Sequence, residues 1–378
     1  MTFGETLRSL MRERGLSLRR LAKLSHYDVG YLSKVANGHW TPSRTLAERL
    51  DTVLDADGRL LALVSETSSA DSRPPCVPHQ GPVAPELVMY FLEQLPGHYR
   101  ADMWLGPRHL IPTVMTQAQL IEELSQAADA PVRQGLFGAG VAYSSLLGWL
   151  YQDAGDIDRS AYWRATALDM AHRSGDPQLI SYSLTNKAML AIDLGDGRAV
   201  IDYATAAMVD EQRLCSKVRV LALVHQAHGH SLLPGCDRAD VDRLLDSAAD
   251  LIEQVDDEYP WGNACHRTRN YIDVQRATAY VRLGVYREAA DLWEQILGAA
   301  PGSARRDDGV FWARQASALA ALSEPERVIE IAASTAPIVN GTGSARLRRE
   351  LKALPTQAER WRESRHGREL VEIISGIV

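Results

Sequence analysis

The chain has 378 residues, 46% of them apolar and 24% charged, with a formal net charge of −7. This composition excludes global disorder, and the length accommodates two or three folding units. No apolar run approaches the roughly 18 residues of a transmembrane helix, and the four cysteines (Cys76, Cys215, Cys236 and Cys265) form no CxxC pair, which excludes a disulfide framework or zinc ribbon.

The start, Met1-Thr2-Phe3-Gly4-Glu5, lacks the basic and then apolar order of a signal peptide, so a reducing cytoplasm is expected. Only five of the 41 basic residues are lysines, a bias typical of high-GC bacterial coding. Charge is unevenly placed. Residues 1–64 carry ten basic side chains against seven acidic ones, and residues 65–378 carry 31 against 41. A basic head on an acidic body suits a molecule whose head touches phosphate.

Residues 1–64 predict five short helices. Helix one carries Leu7, Leu10 and Met11 on one side and stops at Gly15. Helix two is capped by Ser17 and buries Leu18, Leu21 and Ala22. After Ser25-His26-Tyr27, helix three starts at Asp28, buries Leu32 and Val35, and stops at Gly38. Helix four follows Thr41-Pro42 and buries Leu46, Leu50 and Val53. Asp57-Gly58 turns the chain, and Leu60, Leu61 and Leu63 begin a fifth helix.

Residues 65–85 hold five prolines and a serine cluster, which predicts a semi-extended tether. From 86 to 343 the pattern is helical and repeats. Leu147-Gly148-Trp149-Leu150-Tyr151 leads to a turn at Gly155, and Ala277-Thr278-Ala279-Tyr280 leads to one at Gly284. Weaker copies turn at Gly195, at Gly235 (between helices at about 215–232 and 238–255) and at Ser323. Small residues where two helices cross, with turns about 40 residues apart, indicate stacked helical hairpins, an α-solenoid. Residues 344–378 are read as capping helices with Trp361, Leu370, Ile373 and Ile374 on their apolar face. The fold class is therefore all-α throughout.

The segments Leu18-Arg19-Arg20-Leu21-Ala22-Lys23-Leu24-Ser25, Tyr31-Leu32-Ser33-Lys34-Val35-Ala36-Asn37-Gly38 and Thr41-Pro42-Ser43 resemble the XRE/Cro-type, phage-repressor helix-turn-helix family. Where that family usually has a turn glycine, His26 stands here. The resemblance implies a lambda-repressor-like domain whose third helix enters the major groove of double-stranded DNA. By position, Asp28, Val29, Gly30, Ser33 and Lys34 would face base edges. Arg19, Asn37, His39, Ser43 and Arg44 would meet phosphates. Taken singly, each also has a plain reading as helix surface or, for Asp28, a helix cap.

Residues 147–168 and 276–297 resemble tetratricopeptide repeats, whose first helices line a concave groove for an extended peptide, a partner protein or a small molecule. The combination resembles the RRNPP-type peptide-sensing quorum receptors and actinobacterial regulators with a Pro-rich tether. It implies a homodimeric transcription regulator that is not an enzyme and needs no cofactor. Groove positions by this register are Trp149, Gln152, Asn186, His225, Gln226, Asn270, Gln275 and Arg314, with Asn186 and Asn270 placed to hold a peptide backbone. An interaction scaffold with an auxiliary head is the alternative.

Catalytic chemistry is not found. His225-Gln226-Ala227-His228-Gly229-His230 and Cys236 match no metal spacing. Gly135-Leu136-Phe137-Gly138-Ala139-Gly140 precedes a helix and follows no strand, so it is not a dinucleotide loop. There is no G-x-S-x-G elbow.

Overall fold

The computed structural model describes residues 2–25, 29–37, 42, 44–63, 81–255, 259–263, 265, 270–298 and 306–377. Every regular element among them is helical. The chain divides into two compact units, Met1–Pro78 and His79–Val378.

The first unit holds α1 (Phe3–Glu13), α2 (Leu18–Ser25), α3 (Val29–Ala36) and α4 (Arg44–Leu54). Thr2 and Glu5 form a reciprocal capping box at the start of α1: the Glu5 amide donates to Thr2 Oγ1 at 3.3 Å, and the Thr2 amide to Glu5 Oε2 at 2.8 Å. Ser17 caps α2 by accepting from the Arg20 amide at 3.2 Å. Leu7, Leu10, Leu21, Ala22, Leu32, Val35, Leu46 and Leu50 make one core. Gly4 lets α1 approach the end of α3 closely, because a Cβ there would lie 2.4 Å from the Ala36 carbonyl oxygen. The expected fifth helix is a single 3-10 turn, Leu61–Leu63. The buried Asp51 carboxylate holds it, accepting from the Leu60 and Leu61 amides at 3.2 and 2.6 Å.

The second unit is a run of helical hairpins. Its elements are α5 (Glu86–Leu105), α6 (Pro107–Ala127), α7 (Ala130–Ala154), α8 (Ile157–Ser174), α9 (Pro177–Leu194), α10 (Gly197–Ala206), α11 (Ser216–Ser231), α12 (Arg238–Ile252), α13 (Tyr271–Arg282), α14 (Tyr286–Leu297), α15 (Arg306–Ala321), α16 (Pro325–Thr342), α17 (Ala345–Gln357) and α18 (Arg365–Ser375). The hairpins are tight because a Gly-Asp pair both ends and begins a helix. Gly155, Gly175 and Gly195 take left-handed C-cap conformations, and the next residues, Asp156, Asp176 and Asp196, accept from amides of the following helix at 2.8–3.0 Å. The turn residues read from sequence at 155, 195, 235, 284 and 323 all have positive φ, Ser323 included at 63°.

Consecutive helices pack on each other, and the odd-numbered α7, α9, α11, α13 and α15 also pack in series. The series closes on itself: α17 packs against α7, and α15 against α5. Val83, from the end of the expected tether, is buried in the core of this unit. The Gly135–Gly140 run lies inside α7 rather than before a helix. There, a Cβ on Gly140 would meet the Met170 sulfur at 2.5 Å. Trp361, Leu370 and Ile374 are buried against the last hairpins, and Trp361 Nε1 donates to the Ala320 carbonyl at 3.1 Å.

Candidate functional site

Two sites emerge, one in each unit. In the first, α2 and α3 are held by the Leu21, Ala22, Leu32 and Val35 core. Arg19 and Arg20 stand exposed at the start of α2, without an ion-pair partner among the described residues. Ser33 is half-buried on α3. Asn37, just beyond, is exposed, and its side chain bridges Ser33 Oγ and Arg8 Nη1, each at 3.5 Å. Val29, Gly30 and Lys34 ride on α3, and Arg44 opens α4. Asp28, His39 and Ser43, with the turn residue His26, lie outside the described residues.

The second site is a half-open cavity of about 340 Å³ lined by the odd-numbered helices α5 to α17. Sequence register places Trp149, Gln152, Asn186, His225, Gln275 and Arg314 on groove helices, and all six line this one cavity. Gln226 and Asn270 are not among its lining residues; Asn270 is exposed at the N-cap of α13.

The wall is a hydrogen-bonded frame. Arg164, buried on α8, donates to Gln152 Oε1, to the Asn186 carbonyl at 2.5 Å and to Asn186 Oδ1 at 3.3 Å. Asn186 Nδ2 donates back along α9 to the Tyr182 carbonyl at 2.9 Å. The Asn186 carboxamide is thus engaged by its own frame on both its oxygen and its nitrogen. Gln152 Nε2 donates to Asp193 Oδ2 at 2.6 Å, and Arg349 pairs with the same carboxylate at 2.9 Å. Burial opposes ionisation of Asp193, but Arg349 and Gln152 prevail and hold its pKa below the ordinary carboxylate value.

Arg306 fits Asp102 bidentately at 2.7 and 2.5 Å and reaches Asp153 at 3.1 Å. Trp149 Nε1 donates to Asp102 at 3.0 Å, and the Arg346 guanidinium lies 4.7 Å from the Trp149 ring centre. Arg314 pairs with Glu350 at 2.9 Å and donates to Thr278 at 3.1 Å. Four arginines and three aspartates line the cavity among the described residues.

The buried imidazoles of His225 and His228 on α11 are held neutral. Arg282 Nη1 donates to His228 Nδ1 at 2.8 Å, so the His228 proton sits on Nε2 and is donated to Gln275 Oε1 at 2.8 Å. Burial, then the Arg282 charge, keeps the His228 pKa well below its ordinary value. Burial and Arg164 bring that of His225 down to about 4. His225 is 7% exposed, and its Nδ1 has no hydrogen-bond partner.

One side of the cavity is a loop. Tyr182, Trp261 and Tyr259 stack in series at 4.4 and 4.6 Å. The buried Lys217 ammonium donates to the Tyr259 carbonyl at 2.8 Å and to Asn263 Oδ1 at 2.7 Å, which pins Gly262 and Asn263 against the cavity. Sequence reasoning missed Arg164, Arg282, Arg306, Asp102 and Lys217. Of these only Arg164 left a signal: Gly148, on the facing helix, clears room for its stem, 2.9 Å from where a Cβ would stand.

Among the described residues no three His, Cys, Asp or Glu side chains gather as a metal site. No helix among them is long and apolar enough to cross a membrane. Residues 2–64 match a helix-turn-helix domain family. No curated protein matches the chain.

Proposed function

We propose that this chain is a sequence-specific DNA-binding transcription regulator of the XRE/Cro type, whose second unit is a tetratricopeptide-like sensor. The match of residues 2–64 to a helix-turn-helix domain carries the reading. The basic balance of that segment and its exposed Arg19 and Arg20 support it. In this reading α3 enters the major groove, Arg19 contacts a phosphate, and two copies of the chain engage half-sites about one helical turn, roughly 34 Å, apart. The protein works in the cytoplasm, catalyses nothing, and senses an effector in the cavity. An effector that reshapes the closed helical series changes head spacing, and a misplaced second head loses its avidity.

A band-shift titration on the DNA upstream of the protein's own gene tests this. A salt-sensitive, sequence-dependent complex is expected. Arg19→Ala lowers the slope of log affinity against log salt by about one. Adding Lys34→Ala weakens binding further, with the helical circular dichroism spectrum unchanged. Absence of any salt-sensitive, sequence-dependent complex overturns the reading.

A further inference from the structure

The closed helical series narrows the class of effector. The cavity has a volume of about 340 Å³. It lies at the small end of ligand pockets, which run to about 1,000 Å³. With α17 against α7 and α15 against α5, the helices gather around this one small pocket.

The charges decide what kind of small molecule fits. The lining arginines outnumber the lining aspartates by one. Arg306, Arg314 and Arg346 are each paired to a carboxylate. Arg282 has no carboxylate within ion-pair distance among the described residues. Its Nη1 is spent on His228 and Ser231, at 2.8 and 3.4 Å, and its Nη2 has no partner among them. His225, one turn before His228 on the same helix, also lines the cavity, but its unpartnered Nδ1 is itself closed off from it. A guanidinium edge free of any carboxylate partner, in a mostly apolar cavity, is the complement of a flat oxyanion. Leu146, Ile192, Val274, Tyr271 and Phe311 supply apolar walls for the remainder of the ligand.

We propose that the cavity binds a small monocarboxylic acid with an apolar body, its carboxylate on Arg282, and that this acid is the effector. The effector role rests on the sensor reading above; binding itself does not. The test therefore uses the full chain without DNA. Benzoate, phenylacetate, octanoate and decanoate are titrated calorimetrically, each beside its own primary amide, with phenyl phosphate as a further arm.

At least one acid is expected to bind one per chain, and about tenfold or more tighter than its amide. Arg282→Gln brings that acid down to its amide's affinity, while Arg282→Lys keeps the preference. The circular dichroism spectrum and melting temperature of both variants check folding. The proposal is overturned if no carboxylate binds, if amides bind as well as acids, or if the acid preference survives Arg282→Gln. Preference for phenyl phosphate overturns the carboxylate in favour of a phosphate monoester. Acid binding in a chain that fails the band-shift assay sinks the regulator and leaves the acid site standing. The converse result does the opposite.

Discussion

His225 and His228 are held neutral inside the fold, and this makes stability depend on pH in a defined direction. In the unfolded chain both titrate near the ordinary histidine value of about 6.5. In the folded chain the pKa of His225 is about 4 and that of His228 well below ordinary. Between those limits the unfolded state binds protons that the folded state refuses. Stability is therefore complete above about pH 7 and falls as pH drops through the window, by up to about 1.4 kcal/mol per pH unit for each histidine. His225→Gln removes one of the two protons. Its loss of stability between about pH 7 and pH 5, measured by urea unfolding, is expected to be about 2 kcal/mol smaller than that of the parent chain. Equal losses would mean that His225 is already charged in the folded state. The residues themselves were legible: His225 and His228 stand out three apart, on one helical face. Their depressed basicity was not, because it comes from burial and from Arg164 and Arg282, on helices that sequence alone does not bring near.

At the scale of elements, the hairpins were legible because their signals are local. Gly155, Gly195, Gly235 and Gly284 take the positive φ that a glycine at a helix end announces. Alanines such as Ala188, Ala204 and Ala277 are buried where helices cross. A register built on alanine passes over a close backbone approach, where α10 meets α11. A Cβ on Gly229 would lie 2.7 Å from Ile201 Cγ1 and 3.1 Å from the Gly197 carbonyl oxygen. A Cβ on Gly197 would lie 2.7 Å from the Gly229 carbonyl oxygen, so neither helix can yield by a side-chain turn alone. Gly97, inside α5, has nothing within 4 Å of its Cβ position. The same substitution should thus have opposite signs at the two places. Gly97→Ala gains about 0.5–1 kcal/mol from helix propensity. Gly229→Ala loses about 1–3 kcal/mol net, since overpacking outweighs that gain. Denaturant unfolding of the two variants measures both, and a stabilised Gly229→Ala would show that α10 and α11 separate freely.

At the scale of the whole second unit, the closure could not be read from repeats, because a repeat describes only what each hairpin does to the next. Asp102 and Arg306 are 204 positions apart, and Asp153 and Ser344 are 191 apart. Nothing in either neighbourhood names the other. Yet these contacts bring the ends of the helical series together around the cavity. Asp102 is 6% exposed and Asp153 1%, and both carboxylates lean on the Arg306 guanidinium. Arg306→Met leaves two buried carboxylates short of their cation and should cost about 3–5 kcal/mol. Neutralising them in the same chain, as Asp102→Asn, Asp153→Asn and Arg306→Met, should return much of that loss, because the penalty lies in stranded charge more than in lost attraction. Hydrogen exchange separates closure from global stability. With Arg306→Met, protection should fall first along α5 and α15, the helices that meet there, while the amides of α10 and α12 stay protected. Uniform loss of protection across all helices would mean that the closing ion pair is one contact among many, and that the cavity does not depend on it.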